Sequence, residues 1–410
     1  MILYYHKLLY LLPLALVTGP FLPDLIVVIC STLFLIDTIR LKLYQYYNNY
    51  FFKIFITFFL ILNLSSFFSD NLISFKYSIG YLRYGIFSIF LFYIFKNFKN
   101  SIYIFSYILF LTFIFLIIDG YIQYFVGNNI LLFNLEKYHT GLPYITSFFG
   151  EEKKLGSYLA RLSPLFFISI LFIGEKYNFK SNFLVFILIL SLCNIILLTT
   201  ERVSIFIIIL FLLFIFLKTK YLITSKKIFF FIFSLFIILS LAINPALIEK
   251  IKSVFYSSGI MSPGLNELGN TKGGYDQGLF IYSKFYHDQI INSFEIFMNN
   301  IFFGIGPKSF KLFVSDAWHP HNYHAQILAE IGIFAYLILL SVFIIFFLEV
   351  IKFFFFKNIN NIDNEKKFFI IFIIFINLLP IPSGDFFNNW LNIIIYLPFG
   401  YLLYFNEKKK

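Results

Sequence analysis

Membrane-length apolar runs alternate with short polar breaks along almost the whole of this 410-residue chain. Stretches of about 15 to 25 apolar residues can cross a bilayer as helices. They are expected near 8–20, 24–37, 52–68, 72–95, 101–125, 155–174, 182–199, 203–217, 228–245, 324–350, 368–383 and 388–405. The pattern predicts an all-α polytopic helical membrane protein with about twelve transmembrane helices. The first two runs are short, and Gly19-Pro20 with Pro23-Asp24 predicts a tight hairpin between them. No small-residue cleavage site follows the first run, so a removable signal peptide is not expected. Two more polar segments interrupt the runs, a medium loop at 126–154 and a long loop at 246–323. Within the long loop Phe285, Ile290, Phe294 and Phe297 recur at helical spacing and predict a helix from about 278 to 300. It is too polar to span and is expected to lie over the bundle as an extracytoplasmic cap. No internal repeat is visible, and 1–410 reads as a single integral membrane domain.

Composition agrees. Hydrophobic residues make up 60% of the sequence and charged ones 13%, with a mean hydropathy of +0.84. A soluble globule could not cover that much apolar surface. The richness in Phe, Ile, Lys and Asn suggests an AT-rich genome, so a single aromatic residue carries little information. The formal charge of +11 does not indicate nucleic-acid binding, because the basic residues fall in alternate loops. They are Arg40 and Lys42, Lys96 and Lys99, Lys176 and Lys180, then Lys218, Lys220, Lys226 and Lys227. Lys352, Lys357, Lys366, Lys367 and Lys408 to Lys410 continue the series, whereas Ser69–Asn71 and Ser383–Asn389 contain none. This positive-inside pattern predicts both termini in the cytoplasm and both long loops outside. Cys30 and Cys193 lie inside apolar runs as small core residues, with no disulfide framework or metal-ligand spacing.

Candidate chemistry concentrates at His-Pro-His-Asn-Tyr-His, residues 319–324, where the long polar stretch meets a new apolar run. Polar groups at a membrane boundary are costly and tend to be functional. Histidine titrates near neutral pH, so His321, with His319 and His324 close by, suits a general base or proton carrier. Pro320 separates the first two histidines and no Asp, Glu or Cys stands at ligand spacing, so no metal is expected. Arginine is scarce, with four against twenty-eight lysines. Three of the four, Arg83, Arg161 and Arg202, lie within or beside apolar runs. A guanidinium fork binds phosphate oxygens in pairs as an ammonium cannot. The alternative for each is snorkelling or a structural ion pair, for example Arg202 with Glu201. Upstream, Gly304-Ile-Gly306-Pro307-Lys308 allows a tight turn near a ligand with Lys308 available to an anion, although such a string is also an ordinary turn.

Phe-Phe-Gly-Ile-Gly-Pro-Lys-Ser-Phe followed by His-Pro-His-Asn-Tyr-His-Ala-Gln and Glu330-Ile-Gly332 resembles the signature of the O-antigen ligase and polymerase superfamily. The ligase motif is His, then Asn, Ser or Gln, nine residues, Gly, two residues, then Gly, Thr or Tyr. His321-Asn322 and Gly332 fit it, and Ala335 departs at the last position. The family's arginine followed four residues later by leucine is matched by Arg161 and Leu165. Arg202 reaches Phe206 instead, yet Thr-Thr-Glu-Arg-Val-Ser resembles the family's arginine-bearing helix start more closely.

The resemblance implies a GT-C-like membrane glycosyltransferase of the bacterial inner membrane, working at the periplasmic face without nucleotide sugar, cofactor or metal. Its donor would be a glycan on undecaprenyl diphosphate and its acceptor a lipid A–core sugar for a ligase, or another lipid-linked repeat for a polymerase. Arg161, Arg202 and Lys308 would bind the diphosphate, and His321 with Asn322 would act on the acceptor hydroxyl. His319, His324, Gly304, Gly306 and Arg83 would support them. A transporter of lipid-linked glycans is the rival from another class, and Arg83 and Lys76 suit it best.

Overall fold

A computed structural model of the chain describes residues 2–69, 71–98, 100–137, 143–177, 182–218, 284–355 and 362–408. The run expected near 228–245, residues 246–283 of the long loop, and Lys99, Lys180, Lys220, Lys226, Lys227, Lys357, Lys409 and Lys410 lie outside the described residues.

Helices dominate. The first run forms short pieces, α1 (Ile2–Tyr5), a 3-10 segment His6–Leu11 and α2 (Leu12–Ala15), in place of one span. Then come α3 (Phe21–Leu41), α4 (Tyr50–Phe68), α5 (Leu72–Gly80), α6 (Leu82–Asn97) and α7 (Ser101–Val126). A two-stranded hairpin of β1 (Glu136–Lys137) and β2 (Pro143–Tyr144) precedes α8 (Leu155–Tyr177), α9 (Asn182–Leu198) and α10 (Arg202–Lys218). The last part holds α11 (Lys284–Asn299), α12 (Phe310–Phe313), α13 (Tyr323–Ile331), α14 (Ile333–Phe355), α15 (Ile362–Asn377) and α16 (Asn389–Glu407). Among the described residues six helical stretches are long and apolar enough to cross a membrane: α3, α4, the α5–α6 pair, α7, α8 and α14. Shorter apolar helices lie in α9 and α10, at Leu184–Leu198 and Arg202–Ile215. The protein is therefore a helical membrane protein.

Two boundaries differ from expectation. The run expected at 368–383 is α15, ending at Asn377 because Pro380 and Pro382 cannot continue a helix. Its start reaches back to Ile362, where Asp363 and Glu365 suit the positive end of the helix dipole. The run expected at 324–350 is not one span but α13 and α14, broken at Gly332 with φ +89. The carbonyls of Ala329 and Glu330 are taken by the backbone N–H groups of Ile305 and Gly306, at 3.2 and 2.7 Å. The Ser65 hydroxyl donates to the Glu330 carbonyl as well, and the N–H of Ile333 goes to the Ile301 carbonyl.

Bundle packing follows the rule for helices in lipid, where small and polar residues mark the contact faces. Ser65, Ser66, Ser74, Ser78, Ser88, Ser106 and Thr112 are all buried. Helix α15 is enclosed from Phe368 to Asn377, whereas α4 and α14 face outward over most of their length. Charges collect at one end, in the ion pairs Lys96–Glu407, Lys408–Asp363 and Lys366–Glu175. The His319–His324 segment lies at the other.

Helix α11 confirms the helix expected from about 278 to 300 over the residues that are described. Its packed face, however, is Gln289, Ser293 and Ile296, while Phe285 and Phe294 of the apolar series are exposed. The medium loop is anchored by the last turns of α7. Buried Asp119 accepts from the Ile130 N–H (2.9 Å) and the Ser147 hydroxyl, and Gln123 accepts from the N–H groups of Thr146 and Ser147.

Arg83 takes the structural alternative. It pairs with Asp24 (2.9 Å) and also donates to the Gly80 carbonyl, the Tyr84 hydroxyl and Asn389 Oδ1. By engaging the Gly80 carbonyl it marks the break between α5 and α6. Asn389 in turn donates to the second Asp24 oxygen (2.9 Å), closing the cluster. Breaking such a partly buried pair from one side typically costs about 3 kcal/mol. Arg83→Met should therefore lower the melting temperature of the detergent-solubilised protein, and adding Asp24→Asn should recover part of the loss.

Candidate functional site

Helix α13 carries the site. The sequence Asn322-Tyr-His-Ala begins it as an Asx cap, with Asn322 Oδ1 accepting from the Ala325 N–H (3.0 Å). Asn322 thus fixes the direction in which the chain enters the helix. Immediately before the cap, His321 has φ +55. A non-glycine residue there costs about 1–3 kcal/mol, and such strain collects at functional sites. Of the six described non-glycine residues with positive φ, Thr200, Lys308 and His321 lie at or within two residues of a candidate side chain.

The three histidines separate into a pair and a loner. The rings of His319 and His321 lie 4.1 Å apart, and Tyr286 of α11 tilts against His321 at 4.8 Å with Phe285 at 5.9 Å. The cap helix therefore covers the pair. His324 instead donates through Nε2 to the Leu378 carbonyl (2.9 Å) and meets Tyr336 and Phe343. This corrects the expectation that it stands within reach as an alternative base, because its ring secures the end of α15. Burial holds His319 down at about 4, helped by His321 and Lys308 and opposed by Asp385. Burial also lowers His321, against the Ser383 backbone and Asp385. Both are neutral at pH 7. Among the described residues no set of three His, Cys, Asp or Glu side chains is grouped to hold a metal.

The glycine turn approaches protein rather than open space. Gly304 (φ +62) faces the backbone of Glu330, and Gly306 (φ +90) faces Ser69 and Ser74, so a Cβ on either would collide at 2.4–2.5 Å. Their service is to bring the turn against the end of α13. Lys308 is not a free cation: it pairs with Asp385 and lies over the Tyr77 ring. Asp385 was not expected, since a lone acid in the loop between α15 and α16 has no neighbouring signal. Its Oδ1 accepts from Gln326 Nε2 (2.8 Å) and the Phe387 N–H (2.9 Å). Gln326 also donates to Glu330 (3.0 Å), and Glu330 accepts from the Phe310 N–H (2.9 Å). Lys308, Asp385, Gln326 and Glu330 form one chain of hydrogen bonds, half-buried at Lys308 and Asp385, joining two segments to α13.

Arg161 sits about 9 Å along α8 from its start and is only 3% exposed. Its partners are neutral, Ser157 Oγ (3.2 Å) and Asn377 Oδ1 (3.0 Å), and among the described residues it forms no ion pair. A buried charge is costly to leave uncompensated, and the acid that acts on Arg161 here, Glu201, does so through space and not by a direct ion pair. Close to it, Glu201 accepts from the Gly156 N–H (2.9 Å) and the Ser204 hydroxyl (2.8 Å), tying the starts of α8 and α10 together. Burial pushes the Glu201 carboxyl up to about 7, against those hydrogen bonds and the nearby Arg161 charge. Arg202 opens α10 beside it.

Two connections join Arg161 to the histidines. Asn377 and Leu378, consecutive at the end of α15, engage Arg161 and His324 respectively. Tyr323, the first residue of α13, interacts electrostatically with both Arg161 and Asp385. Three polar atoms of this zone, His319 Nε2, the Tyr323 hydroxyl and Ser383 Oγ, are buried without a hydrogen-bond partner among the described residues. Each such orphan costs about 1–3 kcal/mol. Arg161, Arg202, Lys308, His319 and His321 therefore belong to one end of the bundle, while Arg83 forms its own cluster with Asp24.

Residues 183–340 match the family model described as O-antigen ligase. The matched stretch contains Arg202, Lys308 and the His319–His324 segment, with Arg161, Asn377 and Asp385 outside it. No curated protein and no solved structure matches the chain.

Because His321 helps to depress His319, His321→Gln should move the His319 pKa upward from about 4 toward the ordinary histidine range near 6.5. Titration of ¹⁵N-labelled histidines by NMR checks this. An unmoved His319 would disprove the coupling.

Proposed function

We propose that this chain moves a glycan from undecaprenyl diphosphate to a lipid A–core sugar, a reading supported by the match of residues 183–340 to the O-antigen ligase family model. The observation that carries this reading is the buried Arg161 fork with only neutral partners, a stable arrangement chiefly if an anionic group completes it. Arg161, with Arg202 at the adjoining helix start, binds the diphosphate and stabilises the charge that develops on it as leaving group. The anomeric carbon–oxygen bond to phosphate breaks, a bond to the acceptor oxygen forms, and the acceptor proton passes to a base. His321, neutral at pH 7 and under the cap helix, is that base, with His319 in ring contact behind it. Asn322 and the Gly304–Gly306 turn hold the histidine segment in place. Lys308 serves through Asp385, orienting the network around α13.

A cleft of about 830 Å³ suits the donor's hydrocarbon. It lies among α4, α14 and α16, walled by residues such as Phe51, Phe55, Val342 and Phe399, and runs from Lys96 and Glu407 at the charged end to Leu378 and Phe386 toward the site. Burying a prenyl chain there needs no specific residue, only apolar surface. The charge pattern supports an inner-membrane location with both termini cytoplasmic and the site on the periplasmic face. The transporter reading loses its best residue, since Arg83 is engaged by Asp24 and Asn389. Joining of lipid-linked repeats by a polymerase would use the same donor chemistry, and the product separates the two.

Lipopolysaccharide from a strain lacking the gene should show lipid A–core without polymer, with undecaprenyl-linked chains accumulating, and His321→Ala should fail to restore it. Core bearing a single repeat would mean a polymerase instead. An unchanged pattern would remove both. Arg161→Lys and Arg202→Lys should each lower turnover at least about a hundredfold, as expected for loss of a paired clamp on a developing charge. The acid limb of kcat/KM should fall below pH 6.5, because lowered histidine pKa values keep the base unprotonated further into acid.

A further inference from the structure

Tyr323 is 1% exposed, yet its hydroxyl has no hydrogen-bond partner among the described residues. A structural tyrosine normally bonds its hydroxyl when buried. Its ring packs edge-on against Phe386, with centroids at 5.4 Å. Two charged groups act on it, Arg161 and Asp385. Asp385 is already engaged by Lys308, Gln326 and the Phe387 N–H. Arg161 has only neutral partners. An incoming anion would therefore meet a guanidinium that has no direct ion pair among the described residues and an uncommitted hydroxyl that already feels its charge. Ser383 Oγ, likewise buried and unpartnered, belongs to the loop whose N–H holds the His321 carbonyl (2.8 Å).

We propose that Tyr323 is a phosphate-binding residue: its hydroxyl donates a hydrogen bond to the oxygen of a diphosphate held by the Arg161 fork. The inference rests on the diphosphate-donor reading and extends it to a residue that neither the arginine pattern nor the histidine motif singles out. A phenol suits the position because it donates to phosphate without adding a second charge to be buried. It also links the two halves of the reaction. Tyr323 follows Asn322 and His321, so phosphate bound to its hydroxyl sets the start of α13 and with it the histidine that faces the acceptor.

The test uses the full-length protein in nanodiscs with two probes, undecaprenyl diphosphate and undecaprenol, whose difference isolates the phosphate contribution. Wild type should bind the diphosphate in preference to the alcohol. Tyr323→Phe should weaken the diphosphate about tenfold, the loss of one hydrogen bond to a charged acceptor. It should leave undecaprenol binding unchanged. Its melting temperature without ligand should not fall, because the hydroxyl makes no bond there to lose. Wild-type affinity for both probes in Tyr323→Phe would overturn the inference and leave the donor reading standing, as would a lowered melting temperature with unchanged diphosphate affinity. Failure of the wild type itself to prefer the diphosphate would overturn the donor reading and this residue's role together.

Discussion

The structure depends on how a nine-residue helix is ended. At Gly332 the chain turns through a positive φ, and the carbonyls released by α13 pass to the Gly304–Gly306 turn and to Ser65. An unsatisfied carbonyl in a membrane costs several kcal/mol, so α13 can be short and separate only because a second segment supplies these donors. Everything in the site takes its place from that. Asn322 caps the other end, Gln326 and Glu330 collect Asp385 and the Phe310 N–H, and His324 secures α15. The glycines and the histidines, far apart in chemical character, are two halves of one mechanical unit.

Within that unit the polar groups divide by whether their demands are met. Lys308, Asp385, Gln326 and Glu330 satisfy one another and make a rigid floor. Arg161, His319, Tyr323 and Ser383 are left with charge or hydrogen-bonding capacity in reserve. A buried network that is complete favours a unique structure, and one that is incomplete leaves polar groups whose unmet demand is costly. The two are adjacent here, so the unsatisfied groups are held still by the satisfied ones.

Much of the fold was legible because spans are fixed by length and hydropathy, which need no knowledge of packing. Where a helix was broken, the signal was local but ambiguous: Gly332 sits inside a run that is apolar on both sides. The apolar series of α11 does not mark its packed face, for a physical reason. Apolar periodicity marks a buried stripe only when the surroundings are water, and beside a membrane Phe285 and Phe294 can face outward while Gln289 and Ser293 face in. In the site, scarcity exposed the arginines and the crowding of histidines exposed residues 319–324. Asp385, Asn377 and Tyr323 had no such mark, since their meaning lies in contacts between segments more than fifty residues apart. Nor could the sequence say which basic residues were already taken, as Arg83 and Lys308 are.

The cleft is walled in part by α4 and α14, two helices that turn most of their surface away from the bundle. If the proposed lipid-linked donor uses it, the approach is through the bilayer, and encounter becomes a search in two dimensions, governed by lipid fluidity and by the number of carriers per unit area.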